Sequence, residues 1–102
     1  MSHVIVWEFV VRAGHEREFE AVYGPTGAWA TLFSKSPEHV GVELLRDTTT
    51  AGRYLTIDRW RSADAFGRFR KAHLDEYEAL DSLCAGLTEV ERKIGVCSVL
   101  SP

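Results

Sequence analysis

The segment from His3 to Arg12 reads HVIVWEFVVR and stops at the turn pair Ala13-Gly14. Its density of β-branched and aromatic residues marks a strand. Side chains alternate across a strand, so Ile5, Trp7, Phe9 and Val11 share one face while Val4, Val6 and Val10 share the other. Both faces are apolar, and both need cover. A chain of 102 residues reads as a single domain spanning residues 1–102, with enough helix for one face of a sheet. The second face is left for a second copy of the chain.

The remaining elements follow from period and punctuation. Phe19, Val22 and Tyr23 recur at helical spacing from His15 until Gly24-Pro25 interrupts, and Trp29, Leu32 and Phe33 repeat the pattern until Ser36-Pro37. Val40 to Asp47 and Arg53 to Arg61 read as a hairpin joined by the polar turn Thr48 to Gly52. Ser62 suits a helix N-cap, with Asp64 in the first turn. From there Phe66, Phe69, His73, Tyr77, Leu80, Cys84 and Leu87 form one long stripe, with a bend expected near His73. After a polar segment from Thr88 to Lys93, the last strand is expected over Ile94 to Leu100. Two similar halves, each a split βαβ unit, predict an α+β fold: a ferredoxin-like antiparallel sheet with helices on one face. Leu55 and Ile57, opposite Tyr54 and Trp60, repeat the two-faced pattern of the first strand. A homodimer is therefore expected, its interior built from Val4, Val6, Val10, Leu55 and Ile57.

Charge narrows the possible partners. Twelve Lys and Arg against 15 Asp and Glu leave a net charge of −3 and no basic stripe, so neither nucleic acid nor an anionic membrane surface is expected as a partner. The longest apolar run, Val4 to Trp7, falls far short of the roughly 20 residues of a membrane span, and a cytoplasmic location is expected. Cys84 and Cys97 lack a CxxC spacing and read as reduced thiols. His3, His15, His39 and His73 lie in separate elements, so no metal site is expected.

Val11 to Tyr23 with its Gly14 turn, Gly27-Ala28-Trp29 followed by Leu32-Phe33, Gly41 with Glu43 to Asp47, and Tyr54 to Trp60 with Ser62 and Phe66 cover most of the chain. In this arrangement they resemble the antibiotic biosynthesis monooxygenase family. The resemblance implies a dimeric α+β barrel, the assembly that the two-faced strands suggest by themselves. It also implies a cofactor-independent monooxygenase acting on a hydroxyaromatic small molecule of polyketide or quinol type. The same family holds heme-degrading enzymes, isomerases and proteins without known activity. In its heme-degrading branch an Asn on the first strand and a His late in the long helix shape the heme site. Here the strand position holds Trp7 and the helix position falls near Ala79, so neither heme nor any other cofactor is expected.

Within this frame His73, Asp58 and Tyr77 are the candidate catalytic residues. His73 interrupts an apolar stripe with a group that exchanges protons near neutral pH, although it also reads as a packed imidazole at the helix edge. Asp58 shares the Trp60 face as a possible pocket acid, or serves as a structural charge. Tyr77, one turn beyond His73, would bond a substrate oxygen or simply fill the core. Trp7, Trp29, Phe33, Trp60, Phe66 and Phe69 are the candidate substrate-binding residues, a set that suits a flat aromatic ligand and equally a solid core. Glu8 and Arg59 fall on the opposite face, where an ion pair inside the dimer would satisfy them. Two other readings remain: a non-catalytic ligand-binding or assembly module, and a polyketide isomerase or cyclase.

Overall fold

The computed structural model describes residues 2–100. Their order is β1 (His3–Val11), α1 (Glu16–Tyr23), α2 (Ala28–Phe33), β2 (His39–Arg46), β3 (Arg53–Trp60), α3 (Ala63–Ala72), α4 (Leu74–Cys84), a single 3-10 turn at Ala85–Leu87 and β4 (Thr88–Cys97). All strand pairs are antiparallel, in the sheet order β2-β3-β1-β4. The helices lie on one face, which is the ferredoxin-like arrangement expected. Gly14 and Gly52, at φ 89° and 80°, make the turns that precede α1 and β3.

Two expectations about elements need correction. The last strand begins at Thr88, and Ser98 to Leu100 lie beyond its end. The segment read as a polar connection is thus the first part of an edge strand, pairing Thr88 with Val11 and Glu91 with Phe9. Edge strands carry charge readily because one side faces water, and this masks the apolar alternation on which strand recognition depends. The partner of Glu8 also differs. Glu8 lies on the face opposite the helices, as parity requires, but its carboxylate accepts hydrogen bonds from Arg53 at 2.7 Å and Arg92 at 2.9 Å. Arg59 pairs with Glu43 across to β2 instead, at 3.1 Å.

The long stripe divides at His73, whose φ of −122° and ψ of 30° interrupt the helix. Ser62 caps α3, its Oγ accepting from the Ala65 amide at 3.1 Å. A polar clamp fixes the start of α4: Glu76 accepts from Lys35 and contacts His73 Nδ1 at 3.0 Å. Beneath the helices the core separates into two aromatic groups. Phe9, Phe19, Tyr23 and Tyr54 pack under α1, with ring centroids 4.2–5.2 Å apart. Phe33, Trp60, Phe66 and Phe69 pack under α3, with centroids 5.0–5.6 Å apart. Phe19 and Trp60 are fully buried, and truncating either to Ala is expected to cost about 3–5 kcal/mol.

Candidate active site

Between these two aromatic groups the sheet and helices stand apart. The space is lined by Trp7 and Phe9 of β1, Val42 of β2, Thr56 and Asp58 of β3 and Glu91 of β4, with Tyr23 of α1, Trp29 and Phe33 of α2 and Tyr77 of α4. Each element delivers its residue through its period: Trp7 pairs with Thr56, and Phe9 with Glu91, on the face the helices cover. Tyr77 closes the cleft from above, its ring meeting Trp29 edge-on at 5.1 Å. The cavity within the cleft is small, about 40 Å³.

Asp58 is the carboxyl that β3 presents to this lining. Its strand neighbours on either side are Ile5 and Val42. Among the described residues, no hydrogen bond or ion pair to its carboxyl is present. Burial in these apolar surroundings pushes its pKa up to about 7, because nothing nearby compensates the charge of the carboxylate. Burial likewise raises the Tyr77 and Tyr23 hydroxyls and keeps both protonated as hydrogen-bond donors. Glu91, at the exposed edge strand, is raised by burial and then by Asp81. Trp29 Nε1 is buried without an acceptor among the described residues. The cleft therefore combines aromatic walls, two carboxyls with raised pKa values and hydroxyl donors, an arrangement suited to binding a planar molecule and moving a proton.

The candidate residues divide between two places. Trp7, Trp29, Phe33, Asp58 and Tyr77 are brought together in the cleft. Trp60, Phe66 and Phe69 are not among its lining; they form the packed group under α3, with His39 4.8 Å from Trp60. His73 does not line the cleft either. Its ring lies tilted against Phe69, centroids 5.0 Å apart, at the junction of the two helices, and its Nδ1 contacts Glu76. Phe9, Tyr23, Val42, Thr56 and Glu91 complete the lining, and the sequence does not single them out as site residues. Glu91 lay in the segment read as a connection, and only the alternation of Thr88 and Val90 with charged residues hinted at a strand there.

Two features bear on other functions. Among the described residues no helix is long and apolar enough to cross a membrane, and no cluster of three or more His, Cys, Asp or Glu side chains is arranged to hold a metal ion.

Comparison with known proteins agrees with this architecture. The chain is similar over 99% of its length, and 95% of the other, to SnoaB, a cofactor-independent oxygenase from Streptomyces nogalater crystallised as a mutant, at 25% identity and a TM-score of 0.74. It shares its fold with Rv0793 from Mycobacterium tuberculosis, at 13% identity and TM-score 0.72, covering 100% of this chain and 98% of that one. It also shares its fold with MhuD, solved as a mutant with two manganese protoporphyrin IX bound per active site, at 22% identity and TM-score 0.68, covering 98% and 97%. No curated protein sequence gives a significant match. The antibiotic biosynthesis monooxygenase profile matches residues 2–80, more than half of the sequence, and the chain belongs to that family.

Proposed function

We propose that this protein is a cofactor-independent monooxygenase acting on a hydroxyaromatic small molecule, with Asp58 as its general base. The observation carrying this reading is a single one: an unpaired carboxyl with a pKa of about 7 in an aromatic-walled cleft. Such a group both accepts and returns a proton near neutrality. The substrate lies against Trp7 and Trp29, with a ring oxygen near the Tyr77 hydroxyl. Asp58 takes a proton from an activated ring CH₂, and the electron pair left on carbon reduces O₂ as the carbon–oxygen bond forms. The O–O bond then breaks with loss of the second proton from the same carbon. The CH₂ becomes a carbonyl, and the other oxygen atom leaves as water. The aromatic walls keep bulk water from protonating the carbanion. A multi-ring substrate needs more room than the cavity now offers, and it enters by displacing the half-buried Trp7 and Tyr77 at the mouth.

Oxygen uptake with anthrones and quinols tests the proposal. Turnover is expected to rise through about pH 7, and Asp58→Asn to lower it by about 10² or more. Full turnover in Asp58→Asn would remove Asp58 as the base. His73→Ala, which changes a side chain outside the cleft lining, is expected to retain activity. The small cavity supports a second reading, a non-catalytic ligand-binding module, which predicts quenching of Trp7 and Trp29 fluorescence by aromatics without O₂ consumption. Product formation without O₂ consumption would instead identify an isomerase or cyclase.

Heme is not expected as a ligand, because the lining includes no imidazole and no basic side chain to pair with porphyrin propionates. Hemin titration is expected to give no saturable Soret shift, and a tight one-to-one complex would overturn this.

A further inference from the structure

From the placement of Glu91 we infer that it is a specificity residue of the cleft, receiving a neutral or cationic hydrogen-bond donor at the far end of the substrate and excluding carboxylated aromatics. The inference rests on the proposed function, since Asp58 and Glu91 share the cleft that function uses. Asp58 pairs with Ile5 on one side of β1, and Glu91 pairs with Phe9 on the other. Two strand spacings and four residues along β1 put their backbones about 16 Å apart. Trp7 lies midway along β1 between Ile5 and Phe9, on the face that lines the cleft. A planar molecule resting on Trp7 therefore has one carboxyl beyond each end. The lining contains these two acids and no Lys, Arg or His.

At the open edge of this cleft a carboxylate with no cationic partner among the described residues accepts a hydroxyl or ammonium donor and repels a second carboxylate. The nearby cations do not reverse this. Arg70 and Lys93 are exposed and stand over the rings of Tyr77 and Trp7, at 5.0 and 5.5 Å from the centroids, outside the lining set. Glu91 is exposed as they are, so water screens both signs alike, and the preference rests on Glu91 lining the cleft while the two cations stand outside it. Glu91 thus sorts substrates by the charge of the end that lies away from the base.

Fluorescence quenching of Trp7 and Trp29 measures this with two probes, a dihydroxyanthraquinone and its carboxylic-acid derivative, at neutral pH. The unsubstituted probe is expected to bind the wild type about two- to fivefold more tightly, the range of an exposed charge interaction. Glu91→Gln should narrow that ratio, and Glu91→Arg should invert it. A preference equal in wild type and both variants overturns the role of Glu91 while leaving the cleft as the binding site. If neither probe quenches the wild type saturably, the inference falls together with the proposed function. Glu91 is exposed on an edge strand, and Glu91→Gln keeps its shape, so this arm remains decisive if the Arg variant folds poorly.

Discussion

Asp58 sits between Ile5 and Val42 on adjacent strands, and that placement has a thermodynamic consequence separable from catalysis. Its folded pKa, about 7, lies above the ordinary value of 3.8, so the folded state keeps a proton that the unfolded chain has already released. The associated stability is fully present below about pH 4 and is lost as pH rises through 7. Asp58→Asn, neutral at every pH, is expected to melt higher than the wild type at pH 8 and to match it near pH 4. Each kcal/mol recovered raises the midpoint by about 4–8 °C. Equal melting temperatures at both pH values would mean that the carboxyl is hydrated and its pKa ordinary. The position of Asp58 on the Trp60 face was legible from parity, but its titration was not, because that depends on Ile5 and Val42, which are distant in sequence. A rate rising through neutral pH therefore fails to separate an imidazole base from this carboxylate, and the variants must decide. His73 illustrates the complementary limit. Its spacing fits the stripe, yet the backbone break at this residue turns it toward Glu76.

At the level of elements, the helical wall of the cleft depends on the short connection between α1 and α2. Gly27 is the N-cap of α2, and a Cβ there would meet the carbonyl oxygens of Val22 at 2.3 Å and Ala21 at 2.4 Å. Those oxygens belong to backbone and have nowhere to retreat. Gly27→Ala is expected to cost about 2 kcal/mol or more, by forcing α2 and Trp29 away from α1. Ser62→Ala, which removes only the cap of α3, should cost about 1 kcal/mol and leave Trp29 in place. Urea midpoints compare the two, with near-ultraviolet circular dichroism reporting the Trp29 environment; equal losses would show that the close approach at Gly27 relaxes freely. The legibility of elements followed their burial. β1 and β3 are central and apolar, and the sequence located both to within one or two residues. β4 is an edge strand with charged residues at Glu89, Glu91, Arg92 and Lys93, and its first half was unreadable by hydrophobic period although its hydrogen bonds to β1 make it a strand.

For the whole molecule the open face of the sheet is decisive. Val6, Val10, Leu55 and Ile57 are half-buried there, Val90 and Leu45 are 42% and 38% exposed, and the helices lie on the other side. Charges on this face are already paired: Glu8 with Arg53 and Arg92, Arg53 with Asp47 at 2.9 Å, and Arg59 with Glu43. A surface of apolar residues whose charges are mutually neutralised can be desolvated by a partner without leaving an ion unpaired. A second copy presents the same surface, and an isologous sheet-on-sheet contact buries both at once. We therefore expect a homodimer of twice the chain's 11.5 kDa, with an interface above about 1,000 Å². Val6 lies on β1 between Ile57 and Gly95, near the middle of the face, so Val6→Lys places an unpaired ammonium inside the contact. Sedimentation should then give a dimer for the wild type at micromolar concentration and a monomer for Val6→Lys. Far-ultraviolet circular dichroism should show that the variant keeps its fold, since Val6 lies on the face away from the helix-covered core. A stable wild-type monomer would mean that this face stays hydrated, and the sheet-on-sheet barrel would have to be abandoned. A dimer that persists in a folded Val6→Lys variant would place the contact elsewhere on the molecule.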